Sequence, residues 1–338
     1  MTAVPSPREA TSHEDFDMPP TIRTLVRGSL AVALLGAVTT SAEPQNARVT
    51  RNDILVTTDW LAGQIDNPRL VLLHIGEKEE YDAGHIPGAR FVDLHDVSAP
   101  MNHSDTTELV LEMPSIEQLR KQLEQLGISD DSRVVVYYGK DWLSPSTRVL
   151  LTLQYFGLGG QTSLLDGGMP EWKKKHPVTT AVPAARAGKL TPRPLQPVIA
   201  DAEFVKSHIR RPGFAIVDAR NTVFYDGPIQ QPSGTNAMGR PRDPIVPGHV
   251  PGAVNIVFES VFDDTGHLLP EARLRQMFSA AGIEPNDTVI AYCHIGQQAT
   301  AVLFAARSLG HDVKLYDGSY QDWSRRKLPV EHSRKDGK

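Results

Sequence analysis

The chain repeats itself. His85-Ile-Pro-Gly-Ala-Arg90 returns as His249-Val-Pro-Gly-Ala-Val254, each preceded by glycine, Gly84 and Gly248. Upstream of each lies an apolar run, Leu70-Val-Leu-Leu-His-Ile75 and Phe214-Ala-Ile-Val-Asp218, followed by Tyr81-Asp82 and Tyr225-Asp226. Downstream, Arg133-Val-Val-Val-Tyr-Tyr138 matches Thr288-Val-Ile-Ala-Tyr-Cys293, and Asp166-Gly-Gly-Met-Pro-Glu-Trp172 matches Asp317-Gly-Ser-Tyr-Gln-Asp-Trp323. Landmarks recurring in the same order mark a tandem duplication, so both copies must adopt one fold.

Each copy alternates short apolar, β-rich runs with amphipathic segments such as Ser115–Leu126 and Glu271–Ala281, both stopped by glycine (Gly127, Gly282). Continuous apolar strands alternating with helices predict an α/β unit, a mostly parallel sheet covered by helices on both faces. With 338 residues the chain has enough material for two such cores. Residues 51–176 make the first copy and 198–332 the second; 177–197, rich in Pro, Ala and basic residues, reads as an extended surface linker. The second copy carries a Gly/Pro-rich insertion at 227–247, which supplies Arg240 and Arg242. A segment this long inside a compact domain is more often functional or mobile than structural.

Cys293 is the one cysteine of the chain. It ends the strand-like run Asp287–Tyr292 and opens the loop Cys293-His-Ile-Gly-Gln-Gln298, after which Ala299–Leu309 reads as a packed helix closed by Gly310. A thiol at a helix N-terminus faces unpaired N–H groups and the positive end of the helix dipole, and both favour the thiolate, the nucleophilic form. Gly296 permits a turn with positive φ that aims successive N–H groups inward as an anion nest. In parallel sheets ligands bind beyond the carboxyl ends of the strands, which is where Cys293 falls. The competing reading is a buried structural cysteine.

A single cysteine excludes an intrachain disulfide, and no His/Cys cluster has metal-ligand spacing, so neither metal nor cofactor is expected. A formal charge of −5 argues against a nucleic-acid partner. Residues 21–42 place Arg23 and Arg27 ahead of an apolar run ending in small residues, the layout of a signal peptide cleaved after Ala42, with 1–20 a disordered extension. The expectation is a periplasmic or secreted protein, with the cytoplasm as the alternative, and no stable membrane insertion after cleavage.

Together these landmarks resemble the rhodanese family, specifically its two-domain thiosulfate and 3-mercaptopyruvate sulfurtransferases, over roughly 51–332. The resemblance implies two tandem rhodanese-like domains, the first catalytically silent and the second holding the nucleophile; Tyr138 stands at the cysteine position of the first copy. It further implies that Cys293 takes a sulfane sulfur from a small anionic donor and passes it to cyanide or a thiol; a monomer is expected. The backbone of His294, Ile295, Gly296, Gln297 and Gln298 would cradle the anionic sulfur. Mercaptopyruvate-specific members usually show Gly-[Ser/Ala]-Gly-Val-Thr after the cysteine and thiosulfate-specific ones basic residues; His294-Ile-Gly-Gln-Gln298 matches neither. His294 either lends partial positive charge or points to solvent. In some thiosulfate-specific members an arginine contacts substrate where this chain has Phe224. Thiosulfate is the expected donor, with 3-mercaptopyruvate as the alternative.

Asp218 and Arg220, at the end of the strand before the insertion, admit two readings: Arg220 as a substrate-binding cation, or an Asp218–Arg220 bracket that holds the loop. His85 and His249 recur in both copies and read as scaffold, as do Trp172 and Trp323. A phosphatase loop of the Cys-x5-Arg type is disfavoured because position 299 is Ala. A persulfide carrier that serves a partner protein without turnover remains the second reading.

Overall fold

The computed structural model describes residues 49–101, 108–140, 143–227 and 246–333. Segments 1–20 and 21–42, and most of the 227–247 insertion with Arg240 and Arg242, lie outside the described residues. Both copies belong to one compact unit.

Each copy forms a five-stranded sheet in which every strand pair is parallel. The first contains β1 (Leu55–Val56), β2 (Leu70–Ile75), β3 (Ala89–Val92), β4 (Arg133–Tyr138) and β5 (Thr162–Leu165), in the order β1-β5-β4-β2-β3. The second contains β6 (Ile199–Ala200), β7 (Phe214–Asp218), β8 (Val254–Asn255), β9 (Thr288–Tyr292) and β10 (Val313–Tyr316), in the same spatial sequence, β6-β10-β9-β7-β8. The central strands β4 and β9 are buried along nearly their whole length, which is why their sequences are continuous apolar runs rather than alternating ones.

Four longer helices flank the sheets: α1 (Ile116–Gln125), α2 (Leu143–Tyr155), α3 (Glu271–Ala280) and α4 (Ala299–Ser308). The ends of α1 were legible locally. Ser115 and Gln118 form a capping box at its start, and Gly127 follows its end at φ 81°. Helix α4 is buried on almost every side, because one face lies on its own sheet and another on α2.

The α2–α4 contact joins equivalent helices of the two halves. Thr147 and Thr300, equivalent residues of the two copies, meet hydroxyl to hydroxyl at 2.8 Å. The Asp-Gly turn after the last strand of each half is gripped by the opposite half: Asp166 accepts from the Leu268 N–H at 3.0 Å, and Asp317 from the Met113 N–H at 2.7 Å. One apolar core runs through both halves, joining Val136, Val149 and Leu153 to Val289, Val302 and Leu303.

The repeated landmarks do the same work twice. The His85 ring stacks on Tyr81 and the His249 ring on Tyr225, each at 3.8 Å, and each imidazole Nδ1 binds that tyrosine's carbonyl. Trp172 donates to the Pro177 carbonyl and Trp323 to that of Pro329, both at 2.8 Å. These pairs hold the scaffold. Between the halves the chain runs extended and is pinned to the first half, where Gly188 N–H donates to the Glu124 carbonyl at 2.7 Å and Leu190 is buried.

Candidate functional site

Cys293 follows β9 directly, at the carboxyl edge of the sheet, and its side chain is buried. Its backbone N–H donates to the hydroxyl of Ser319 at 3.2 Å, and its carbonyl accepts from the Tyr320 N–H at 3.0 Å. The turn after β10 therefore clamps the cysteine from the neighbouring strand. Ser319 holds φ at +52°, a region that non-glycine residues seldom occupy, and its own hydroxyl donates to the Tyr316 carbonyl at 2.9 Å.

Beyond Cys293 the loop bends through Gly296 at φ +80° and enters α4 at Gln298. Among the described residues, none of the backbone N–H groups of residues 294–298 donates to a protein acceptor. A run of unpaired N–H groups ahead of a helix is the arrangement that binds anions. Ile295 packs against the shared core, and the Gln297 amide donates to the Ser144 hydroxyl of the first half at 3.2 Å.

The apex of the loop is held from the other half. Arg148, fully buried in α2, donates to the Gly296 carbonyl at 3.2 Å and to Asp317 at 2.8 Å, and also to the Leu111 carbonyl. A methyl group on Gly296 would stand 2.7 Å from the Asp317 carbonyl oxygen and 3.2 Å from the Arg148 guanidinium. Glycine is therefore required twice here, by the positive φ and by the close approach.

Asp218 and Arg220 take the bracket arrangement. Both are fully buried, and the guanidinium of Arg220 donates to both oxygens of Asp218 and to the Gly248 carbonyl. Tyr292 donates its hydroxyl to the same carboxylate at 2.8 Å, and the Arg220 guanidinium lies 3.8 Å from the Tyr320 ring centre. Burial works against the charge on Arg220, but the Asp218 carboxylate more than offsets it. One guanidinium nitrogen, Nη1, has no acceptor among the described residues.

His294 does not supply positive charge, the first of the two roles open to it. Burial first, and then the neighbouring Arg220, lowers its pKa to about 4, so the imidazole is neutral at ordinary pH. Nor does it point freely into solvent, because its ring packs edge-on against Phe224 at 4.7 Å.

The first half shows what replaces the cysteine. The Tyr138 ring fills the space over residue 168, where any Cβ would come within 2.6 Å of it; glycine stands there instead of the serine found at 319. The Tyr138 hydroxyl crosses to the second half and donates to the Gly266 carbonyl at 3.0 Å. The residue at the position equivalent to Cys293 thus braces the two halves.

A cleft of about 720 Å³ opens between the halves, lined by Tyr138, Lys140, Ser144 and Lys174 on one side and by Phe258 and Gln297 on the other. It reaches the loop at Gln297, although Cys293 does not line it. Sequence reasoning missed Arg148 and Ser319. An arginine amid the apolar residues of α2 was the available sign of the first, since arginine is almost never fully buried unless paired.

Residues 57–175 and 201–326 each match the rhodanese-like domain model. The sulfur carrier protein TtuD of Thermus thermophilus is 30% identical over 283 residues, covering 80% of this chain and 93% of that protein. The thiosulfate/3-mercaptopyruvate sulfurtransferase 1, mitochondrial, of Arabidopsis thaliana is 28% identical over 331 residues, covering 87% and 82%. The crystal structure of the 3-mercaptopyruvate sulfotransferase SseA of Escherichia coli superposes with a TM-score of 0.66 at 25% identity, covering 80% of this chain and 99% of that one.

Proposed function

The chain belongs to the rhodanese family, and from that membership together with the Cys293 loop we propose that it moves a sulfane sulfur from thiosulfate to a thiophilic acceptor through a persulfide on Cys293. The observation that carries this reading is the run of unpaired N–H groups at 294–298, directly after a cysteine at the end of a central strand.

In the first step the Cys293 thiolate attacks the outer sulfur of thiosulfate. The sulfur–sulfur bond of the donor breaks, its electron pair leaves with sulfite, and Cys293 carries the transferred sulfur as a persulfide. In the second step cyanide or a thiolate attacks that outer sulfur, the persulfide bond breaks, and the thiolate of Cys293 is restored. Charge stays on sulfur throughout, so main-chain N–H groups can stabilise each state without a general base. The half that holds Tyr138 in place of a cysteine is read as catalytically silent.

The cradle is neutral. His294 is uncharged, Arg220 is paired with Asp218, and Phe224 stands beside His294, so among the described residues the loop itself offers no free cation to select a doubly charged donor. This weakens the preference for thiosulfate and keeps 3-mercaptopyruvate as the alternative donor. A donor panel of thiosulfate, 3-mercaptopyruvate and glutathione persulfide, read by rate and by gain of one sulfur atom on the protein, tests the assignment. Absence of sulfur on Cys293 with every donor would sink it.

A second reading is favoured by the likeness to a sulfur carrier: the protein loads Cys293 and hands the sulfur to a partner protein. Loading without steady-state turnover to cyanide would select it. We also propose export after cleavage at Ala42, which motivates N-terminal sequencing of the mature protein; a start at Met1 would refute it.

A further inference from the structure

A second cavity, of about 280 Å³, lies at the carboxyl edge of the first sheet. The duplication explains why it is there. Strand register sets His74 beside Tyr137 as it sets Asp218 beside Tyr292. His74 thus replaces Asp218, and Gly76, two residues on, replaces Arg220. By the same alignment Gly139 replaces His294 and Met169 replaces Tyr320. The carboxylate, guanidinium and phenol that fill this level of the second half are all missing from the first, and their volume is left open.

What lines the opening is polar and specific. His74 is fully buried, edge-on to Tyr137 at 4.9 Å and to Tyr81 at 5.4 Å, yet neither ring nitrogen has a hydrogen-bond partner among the described residues. Burial, followed by the proximity of His85 and Lys173, lowers its pKa to about 4, so the ring is neutral and one nitrogen is an acceptor. A methyl group on Gly76 would lie 3.0 Å from His74 Nε2 and 3.2 Å from a carboxylate oxygen of Glu80. Those two groups therefore flank the same small space. The Glu80 oxygen also accepts the Lys140 N–H at 3.1 Å, and Lys140 and Lys173 are among the residues that line the cavity.

We propose that this cavity is a binding site for a small zwitterionic α-amino acid, its ammonium set between Glu80 and His74 and its carboxylate facing Lys140 and Lys173. A simple anion would leave the Glu80 carboxylate opposed, and a simple cation would leave both lysines unanswered; only a ligand carrying both charges complements the wall. The site is independent of sulfur chemistry at Cys293 and stands or falls without it.

The test uses the full chain carrying Cys293→Ala, so that nothing reacts in the other half, with isothermal titration of L-serine, propionate and ethylamine. L-Serine is expected to bind, and each half-ligand to bind at least about tenfold more weakly. Glu80→Gln and Lys173→Ala, made singly, are each expected to weaken L-serine binding about tenfold, the effect of losing one charge-assisted hydrogen bond. Phe224→Ala, in the other half, is expected to leave it unchanged. No binding of L-serine, equal affinity for either half-ligand, or indifference to both substitutions would overturn the proposal.

Discussion

Replacing Arg148 by methionine removes the guanidinium that ties α2 to the Gly296 carbonyl, to Asp317 and to the Leu111 carbonyl while keeping similar bulk. The ion pair it breaks is buried on both sides, with side-chain exposures of 1% and 8%, so solvent cannot take over the lost partner. Among the described residues, Asp317 would keep only the Met113 N–H. Removing one member of such a pair costs about 3–5 kcal/mol, a large fraction of the roughly 5–15 kcal/mol that holds a domain together. Urea unfolding should show that loss directly. The loop apex should also move, and a displacement of about 1 Å at reacting groups costs on the order of a hundredfold in rate. Single-turnover loading of Cys293 from thiosulfate, measured where the variant is still folded, should therefore fall by that order. Arg148→Lys separates the two effects: it restores charge beside Asp317 but cannot span three acceptors, so stability should recover more than loading does. If Arg148→Met loads sulfur at the parent rate, the claim that the first half positions the loop is wrong, whatever happens to stability.

Cys293→Ser should abolish sulfur loading with every donor while leaving the unfolding transition in place, because oxygen is a poor thiophile of similar size; retained turnover would remove the nucleophile assignment. Gly296→Ala should cut loading sharply, since the new methyl would meet the Asp317 carbonyl oxygen at 2.7 Å on a backbone with φ +80°, and normal loading would show that the loop relaxes freely. Tyr138→Phe should cost only about 1 kcal/mol in unfolding, the worth of its hydrogen bond to Gly266, with loading unchanged. On acidification, His74 and His294, both held to about 4 in the folded chain, would take up protons in the unfolded chain near 6.5. Unfolding is thus favoured as pH falls through that window. Glu112, raised to about 7 chiefly by burial and then by Asp317, acts in the opposite direction. The net difference of one proton sets a slope of at most about 1.4 kcal/mol per pH unit. Stability that holds level between pH 6.5 and 4 would contradict the buried, neutral state of the two histidines.

The fold was readable because its signals are local or repeated. Continuous apolar runs gave the strands, Ser115 and Gln118 gave the start of α1, and the paired Gly-His-x-Pro-Gly-Ala segments required two copies of one sheet. Gly296 announced a positive φ, and the turn has it. What failed to show in the sequence depends on burial and on contacts across the interface. His294 looks like a cation when only its neighbours in the chain are counted; its neutrality comes from packing against Phe224, far away in sequence, and from Arg220. The Asp218–Arg220 alternatives could not be separated without knowing that Tyr292 also binds the carboxylate and that Gly248 takes the guanidinium. Arg148 lies 145 positions before Cys293, and no period within α2 tells which face meets the opposite half.

That last contact bears on why a copy without a cysteine persists in the chain. A five-stranded parallel sheet with its own helices would hold Cys293 at a strand end, but the loop after it carries unpaired N–H groups and a carbonyl apex that its own half does not satisfy. The first half leaves those N–H groups open but supplies the other partners: Arg148 to the Gly296 carbonyl, Met113 N–H to Asp317, Ser144 to the Gln297 side-chain amide. Tyr138 completes the exchange by reaching Gly266 from the position equivalent to Cys293. With α2 buried against α4, a thiol at 138 would stand where that brace closes the interface. Tyrosine at 138 and glycine at 168 therefore go together, since any Cβ at 168 would come within 2.6 Å of the Tyr138 ring.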